Sequence, residues 1–285
     1  MKNIIWIASY PKSGNTMLRL FLASYLFTEN GIFNNLDIIR NITTFNNFDI
    51  YKNIKGICKK DDFITNPEII SKYWIPAQKM LYENFQKKIF ILKTHNANIF
   101  YKGDNFTNEN YTRCFLYIVR DPRSVLISTK YHYNYKNYET AASHLISDKH
   151  ITYAKNNLLP EFLLSWKSNY LSWKNFSNSN ALGLIIKYEN LINKPEEGFL
   201  EIIKFLENKH SIEFDKKKFK NAIKSIKFQN LQNMEAKYGF EEKSKYASQF
   251  FRKGIIDEWK NEVPESIILK IEKAFEKEMT DLGYL

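Results

Sequence analysis

The sequence predicts an α/β protein, with a single domain in which a central parallel sheet is flanked by helices. Short, mostly apolar segments recur at Ile4–Ser9, Lys88–Lys93, Cys114–Val119 and Leu182–Lys187. Helical patterning separates them, as parallel βαβ units require. The chain has 285 residues, 44% hydrophobic and 16% aromatic, without an internal repeat, a low-complexity tract or a Pro/Gly-rich linker. One packed domain over residues 1–285 is therefore expected.

The first strand, Ile4-Ile5-Trp6-Ile7-Ala8, is short and β-branched, as a strand buried on both faces should be. A helix is predicted over Thr16–Glu29, because Leu18, Phe21, Leu22, Tyr25 and Leu26 recur at three- and four-residue spacing and Gly31 closes the segment. Further helices are predicted at Pro122–Tyr133, Leu158–Phe176, Pro195–Glu207, Asp215–Ser225 and Pro264–Leu282. The last carries Ile267, Ile271, Phe275 and Leu282 on one face, with Pro264 suited to its first turn. The segments Phe33–Phe85 and Tyr135–Asn157 are long and less regular, and are expected to roof a site.

Composition narrows the function classes. No apolar stretch reaches the roughly 18 residues of a membrane span, and Arg19 interrupts the longest candidate. Ile4–Ala8 is too short for a signal-peptide core, so a cytoplasmic protein with no membrane partner is expected. Cys58 and Cys114 have neither zinc nor disulfide spacing and read as reduced thiols. The net charge of +11 comes from scattered lysines, with short clusters only at Lys87-Lys88 and Lys216-Lys217-Lys218. Such a field steers a small polyanion. A nucleic-acid surface would interleave basic and aromatic residues on one face. Tyr131-His132-Tyr133-Asn134-Tyr135 comes closest, and Tyr131, His132 and Tyr135 are read instead as the wall of a substrate pocket. No nucleic-acid partner is expected.

The most telling segment is Tyr10-Pro11-Lys12-Ser13-Gly14-Asn15-Thr16, between the first strand and the first helix. A strand feeding a tight glycine turn that opens a helix aims free N–H groups and the positive dipole end at one point. Lys12 adds a full charge, and Ser13, Asn15 and Thr16 add neutral donors. This is a phosphate cradle, but not the nucleotide P-loop, whose lysine follows its second glycine; here Lys12 precedes Gly14.

The second strand ends in Lys93-Thr94-His95, and ligands of open parallel sheets sit beyond the carboxyl ends of strands. Imidazole is a neutral base near physiological pH. The third strand runs into Arg120-Asp121-Pro122-Arg123, with Ser128 eight residues beyond Arg120. Arg120 offers a bidentate fork and Ser128 a hydroxyl. Asp121 with Pro122 could alternatively do no more than cap a helix, and Arg123 reads as a surface residue there. Downstream lie Lys187-Tyr188-Glu189-Asn190-Leu191, Phe228-Gln229-Asn230-Leu231 and Phe251-Arg252-Lys253-Gly254-Ile255-Ile256-Asp257-Glu258-Trp259-Lys260. A glycine beside two cations lets backbone amides approach an anion closely.

Taken in order, these segments resemble those of the sulfotransferases that use 3′-phosphoadenosine 5′-phosphosulfate (PAPS), over nearly the whole chain from Ile4 to Met279. The resemblance implies a P-loop-kinase-like fold and PAPS as co-substrate with no metal. His95 would be the catalytic base, Lys12 would offset charge on the leaving phosphate oxygen, and Lys93 would steady the sulfuryl oxygens. Lys12, Ser13, Gly14, Asn15, Thr16 and Met17 would hold the phosphosulfate end, and Arg120 with Ser128 the 3′-phosphate. Tyr188 and Phe228 would meet the adenine, and Arg252, Lys253 and Gly254 would close over the 3′-phosphate. Met17 stands where a tryptophan is frequent in the family, Asn15 replaces a threonine, and Asp257 replaces the closing loop's second glycine. The dimerisation segment of many members is not recognisable in Lys260–Leu269, so oligomeric state stays open. The roofing segments are rich in Asn and Tyr, which points to a polar small-molecule or carbohydrate acceptor. A P-loop kinase would want a strand-end Asp for Mg²⁺ and the Gly-Lys-Ser/Thr order; neither appears.

Overall fold

The computed structural model describes residues 2–84, 88–180, 182–210 and 212–285, the side chains of 178–180 and 210 aside. Phe85, at the end of one expected roofing segment, and Lys87, of the Lys87-Lys88 cluster, lie outside the described residues. The chain forms two compact units. The first comprises Met1–Tyr10, Ile42–Ile118 and Ser147–Ile185; the second comprises Pro11–Asn41, Val119–Ile146 and Ile186–Leu285.

The first unit is built on the sheet. Its strands are β1 (Ile4–Ser9), β2 (Phe90–Thr94), β5 (Thr112–Val119) and β6 (Gly183–Lys187), in the order β2-β1-β5-β6. A two-stranded ribbon of β3 (Phe100–Tyr101) and β4 (Asp104–Asn105) stands apart from the sheet. All six β1 side chains are buried, as its apolar run requires. β1 pairs in parallel with both β2 and β5, with Ala8 opposite Thr94 and Ser9 opposite Ile118. The first three predicted strands thus end side by side, at the edge where open α/β sheets bind ligands. The chain continues from those ends into Tyr10–Thr16, His95 and Arg120.

Aromatic packing holds this sheet. Trp6 lies 5.0 Å from Phe45, 5.3 Å from Phe106 and 6.5 Å from Trp173, and its indole N–H donates to Thr112 Oγ1 at 3.1 Å. Such pairs contribute about 0.5–1.5 kcal/mol each beyond area burial. Gly183 lies so close to the Phe115 ring that a Cβ would sit 2.0 Å from it, so β6 reaches its place only with glycine there.

Several predicted bounds need correction. The helix expected over Leu158–Phe176 spans Trp166–Asn180. Pro160 disfavours helix before it, and Leu164 has the left-handed φ of 57°. Ile151 and Phe162 form an antiparallel bridge there, and Ser165 starts the helix by accepting from Ser168 N. The roofing segment before β2 contains a helix, Ser71–Asn84, hidden in sequence by Pro76 inside it. The second roofing segment contains another, Tyr138–Ile146.

The second unit is helical. Its first helix is Asn15–Phe27, whose Phe21 lies 4.1 Å from Phe199 and 5.9 Å from Phe219. Those rings come from helices Pro195–His210 and Lys216–Ser225, the latter capped by the Asp215 carboxylate accepting from Lys218 N. The helix Pro122–Tyr133 has its predicted bounds, with Asp121 capping it and Pro122 in its first turn. Arg123, expected at the surface, is buried at 6% exposure. It bonds Asp121, Glu272 and the Tyr284 carbonyl and lies 3.8 Å over the Trp259 ring. The cause is the terminal helix, Glu265–Asp281, which brings Glu272 to it.

Candidate active site

Two sets of residues stand out, one in each unit. In the first unit, His95 follows the last residue of β2. Its Nδ1 lies 2.8 Å from the Ser9 carbonyl oxygen and 3.2 Å from Ser9 Oγ. A carbonyl only accepts, so Nδ1 carries the hydrogen and the lone pair of the neutral ring lies on Nε2. The His95 backbone is fixed as well: its N–H donates to Glu161 Oε1 at 2.7 Å, and its carbonyl accepts from Asn169 Nδ2 at 2.9 Å. Glu161 also faces Lys93, 3.7 Å from its ammonium, and takes the Thr94 hydroxyl at 3.4 Å. One carboxylate at 4% exposure therefore faces the Lys93 ammonium and fixes the His95 backbone, while the His95 ring is held by Ser9.

In the second unit the loop Pro11–Gly14 turns through two left-handed residues, Lys12 at φ 68° and Gly14 at φ 103°. Gly14 is required twice over. Its φ favours glycine, and a Cβ there would meet the Tyr188 ring at 2.4 Å. The helix opens directly behind it at Asn15, so its first N–H groups point out of the turn. The Ser13 hydroxyl is fully buried and has no partner among the described residues, which fits a loop shaped to receive an oxyanion. Lys12 Nζ lies 4.3 Å from the Phe250 ring. Burial pulls the Lys12 ammonium down to about 8; Glu242 opposes that and Arg120 adds to it. Thr16 Oγ1 donates to Glu242 Oε2 at 3.0 Å. Asn15 is buried and Met17 half-buried.

The structure brings Arg120 and Ser128 together, as their eight-residue spacing suggested. Arg120 Nη1 lies 3.3 Å from Ser128 Oγ and donates to the Lys12 carbonyl at 3.2 Å, tying the fork to the cradle. Its guanidinium lies 4.5 Å over the Tyr188 ring. Phe228 begins the helix Phe228–Tyr238 and packs on Gly254, where φ is 66° and a Cβ would sit 2.6 Å from the ring. Asp257, standing where the resemblance puts a second glycine, takes φ 65°, a conformation aspartate tolerates, and its carboxylate pairs with Lys260 at 2.9 Å.

Arg252 and Lys253 are already engaged. Arg252 pairs with Glu258, and Lys253 reaches Glu258 at 2.6 Å and Glu262 at 2.8 Å. Burial works upward on the Glu262 carboxyl, yet its hydrogen bonds and the charges of Lys253 and Arg252 bring it down to about 2. Tyr131 and Tyr138 each donate to Glu262 at 3.2 Å, and Arg252 lies 4.5 Å over the Tyr131 ring. Of the other pocket-wall candidates, the His132 ring meets Tyr133 edge-on at 4.9 Å, and Tyr135 OH lies 2.7 Å from His144 Nδ1. Sequence reasoning missed Glu161, Asn169, Glu242, Glu258 and Glu262 as members of these sets. Only Glu258 and Glu262 carried a signal, by lying beside Arg252-Lys253-Gly254.

Comparison with known proteins agrees with the geometry. Mouse sulfotransferase 1E1 is 28% identical over 121 residues, which is 41% of this chain and 39% of that protein. The match thus spans well under half the length of that relative. The structure of mouse sulfotransferase SULT7A1 complexed with PAP is similar over 99% of this chain and 86% of that chain, at 18% identity and a TM-score of 0.59. That of retinol dehydratase in complex with androsterone and inactive cofactor PAP is similar over 98% and 81%, at 17% identity and a TM-score of 0.62. These likenesses show the fold, the α/β architecture with a parallel sheet that the sequence predicted. The family model described as sulfotransferase domain matches residues 2–283, and the chain belongs to that family.

Proposed function

We propose that the chain transfers the sulfuryl group of PAPS to a hydroxyl of a polar small molecule or sugar and releases 3′-phosphoadenosine 5′-phosphate (PAP), its two units acting as one sulfotransferase domain. The observation that carries this reading is Arg120, which joins the Lys12 carbonyl of the cradle to Ser128. PAP in the solved relatives supports it. The buried Ser13 hydroxyl and the two left-handed loop residues suit a phosphosulfate group.

PAPS, when bound, supplies a sulfuryl group activated by a phosphate leaving group. The acceptor proton goes to His95 Nε2, because Nδ1–H is committed to Ser9. Lys12 offsets the charge that builds on the leaving oxygen, and Lys93, steadied by Glu161, serves the sulfuryl oxygens. Tyr188 and Phe228 take the adenine, Arg120 with Ser128 takes the 3′-phosphate, and Arg252, Lys253 and Gly254 close over that phosphate. A polar acceptor is supported by the wealth of Asn and Tyr in the segments 33–85 and 135–157. An amine could replace the hydroxyl, and a screen of hydroxyl and amine acceptors with radiolabelled PAPS distinguishes them. Cys58 and Cys114, neither of them in a disulfide, support a cytoplasmic setting.

Three results test the nucleotide site. PAP should raise the melting temperature in EDTA, by about 2.7 kcal/mol of stabilisation at a hundredfold excess over Kd, and ATP should do so weakly. A larger, Mg²⁺-dependent shift with ATP would favour a small-molecule kinase instead. Arg120→Ala should weaken PAP about 10–100-fold more than adenosine 5′-monophosphate, since a charge-assisted fork contributes about 1.5–3 kcal/mol. Equal losses in calorimetry would make Arg120 structural.

Lys12 gives the third. Its folded pKa of about 8 lies below the ordinary 10.5, so the unliganded fold holds fewer protons than the unfolded chain between those values. Stability from this group is lowest below about 8 and rises with pH through that window. A phosphate at Lys12 restores its charge, so PAP binding near pH 9 should take up close to one proton. Calorimetry in buffers of different ionisation enthalpy reads this directly. Lys12→Arg, which stays charged, should bind without uptake, and uptake unchanged in that variant would assign the proton elsewhere.

A further inference from the structure

We propose that Arg19 is a ligand for the 5′-side phosphate of the adenine nucleotide, and that Glu242 holds the place of that anion until the nucleotide arrives. The proposal rests on the reading of Lys12–Thr16 as the cradle for the phosphosulfate end. Thr16 and Arg19 are three residues apart in helix Asn15–Phe27, so they share a face near its start. Both point at one carboxylate. Glu242 Oε1 accepts from Arg19 Nη1 at 2.5 Å, and Oε2 accepts from Thr16 Oγ1 at 3.0 Å.

Arg19 is only 4% exposed, a costly place for a guanidinium unless an anion meets it. The negative charge of Glu242 is also felt at Lys12. A carboxylate divided between a guanidinium and a hydroxyl, with an ammonium in its field, presents its oxygens as two oxygens of a phosphate would. The segment that carries it is tied down on either side of Glu242, and on one side at the cradle itself. Glu241 pairs with Arg40 at 3.1 Å, and Phe250 lies against Lys12 Nζ. Nucleotide binding is therefore an exchange, in which Glu242 leaves Thr16 and Arg19 and the 5′-phosphate takes both.

The alternative is that Glu242 only neutralises a buried arginine and stays in place when nucleotide binds. Titration calorimetry on the full chain separates the two, with PAP, adenosine 5′-monophosphate and adenosine 3′-monophosphate as probes. Glu242→Gln keeps the shape and removes the competing charge. It should tighten PAP and the 5′-monophosphate by about 10–100-fold, the size of one charge-assisted hydrogen bond, and leave the 3′-monophosphate unchanged. Arg19→Gln should weaken the same two ligands by a similar factor. If that variant does not fold, Arg19→Lys keeps the charge, loses the fork and should weaken only ligands with a 5′-phosphate. Unchanged or weaker PAP binding by Glu242→Gln overturns the proposal, as does an equal change for both monophosphates. Lys12→Ala marks the underlying reading: if it leaves PAP affinity intact, the cradle itself is misassigned and both ideas fall. If Lys12→Ala weakens PAP while Glu242→Gln gains nothing, only the exchange is lost.

Discussion

Replacing His95 by alanine or asparagine is expected to lower turnover on a hydroxyl acceptor by about 10²–10⁴, the usual contribution of general base catalysis. PAP affinity should stay within a few-fold, because a general base meets the acceptor and need not hold the nucleotide. The tautomer makes this specific. With Nδ1–H held by the Ser9 carbonyl, Nε2 is the nitrogen with the lone pair in the neutral ring. The rate of the unaltered enzyme should rise as its base loses a proton, and the variant should lose that limb of the pH profile. An amine acceptor, neutral in part already, would shrink the loss. Unfolding, or loss of PAP binding measured by calorimetry, would make His95 a packing residue. Full activity on a hydroxyl acceptor would move the base elsewhere, with His132 next to be tested.

Arg123→Ala should have the largest effect on stability. The guanidinium is enclosed by Asp121, Glu272, the Tyr284 carbonyl and the Trp259 ring. Removing it leaves the Asp121 carboxylate, 5% exposed, without its cation. Breaking one side of a buried pair costs about 3–5 kcal/mol, and the melting temperature should fall by on the order of 10 °C. The paired change Arg123→Ala with Asp121→Asn should cost less than the two singles summed, because the buried Asp121 charge is no longer left without its cation. A single-variant loss under about 1 kcal/mol would mean that the cluster is solvated and behaves as a surface pair.

The elements legible in sequence were those whose signals are local. β1 and the helix Pro122–Tyr133 match their predicted bounds because each ends at sharp punctuation, Tyr10-Pro11 in one case and Asp121-Pro122 in the other. The helix Ser71–Asn84 was obscured by Pro76, and the start of Trp166–Asn180 by apolar residues at 158–164 that continue the helical period without adopting it. The Arg120/Ser128 spacing was readable because both lie on one strand–helix corner. The acids were not. Glu161 lies 66 residues from His95, and Glu242 lies 226 from Thr16. An isolated glutamate carries no periodicity and no turn chemistry, so its role exists only once the chain is folded. Arg123 failed for the same reason: its second carboxylate, Glu272, comes from 149 residues away.

The pairing of Arg252 and Lys253 with Glu258 and Glu262 bears on how binding should respond to ionic strength. A net charge of +11 suggests a bare cationic surface that gathers anions and sheds them as salt rises. Here Arg252 and Lys253 meet carboxylates five to ten residues further along the chain, so their far field is largely cancelled. A phosphate arriving there trades places with a neighbour and adds little net attraction at a distance beyond a Debye length of about 8 Å. Scattered lysines then govern the rate of encounter, and salt should slow association while leaving the dissociation rate nearly constant.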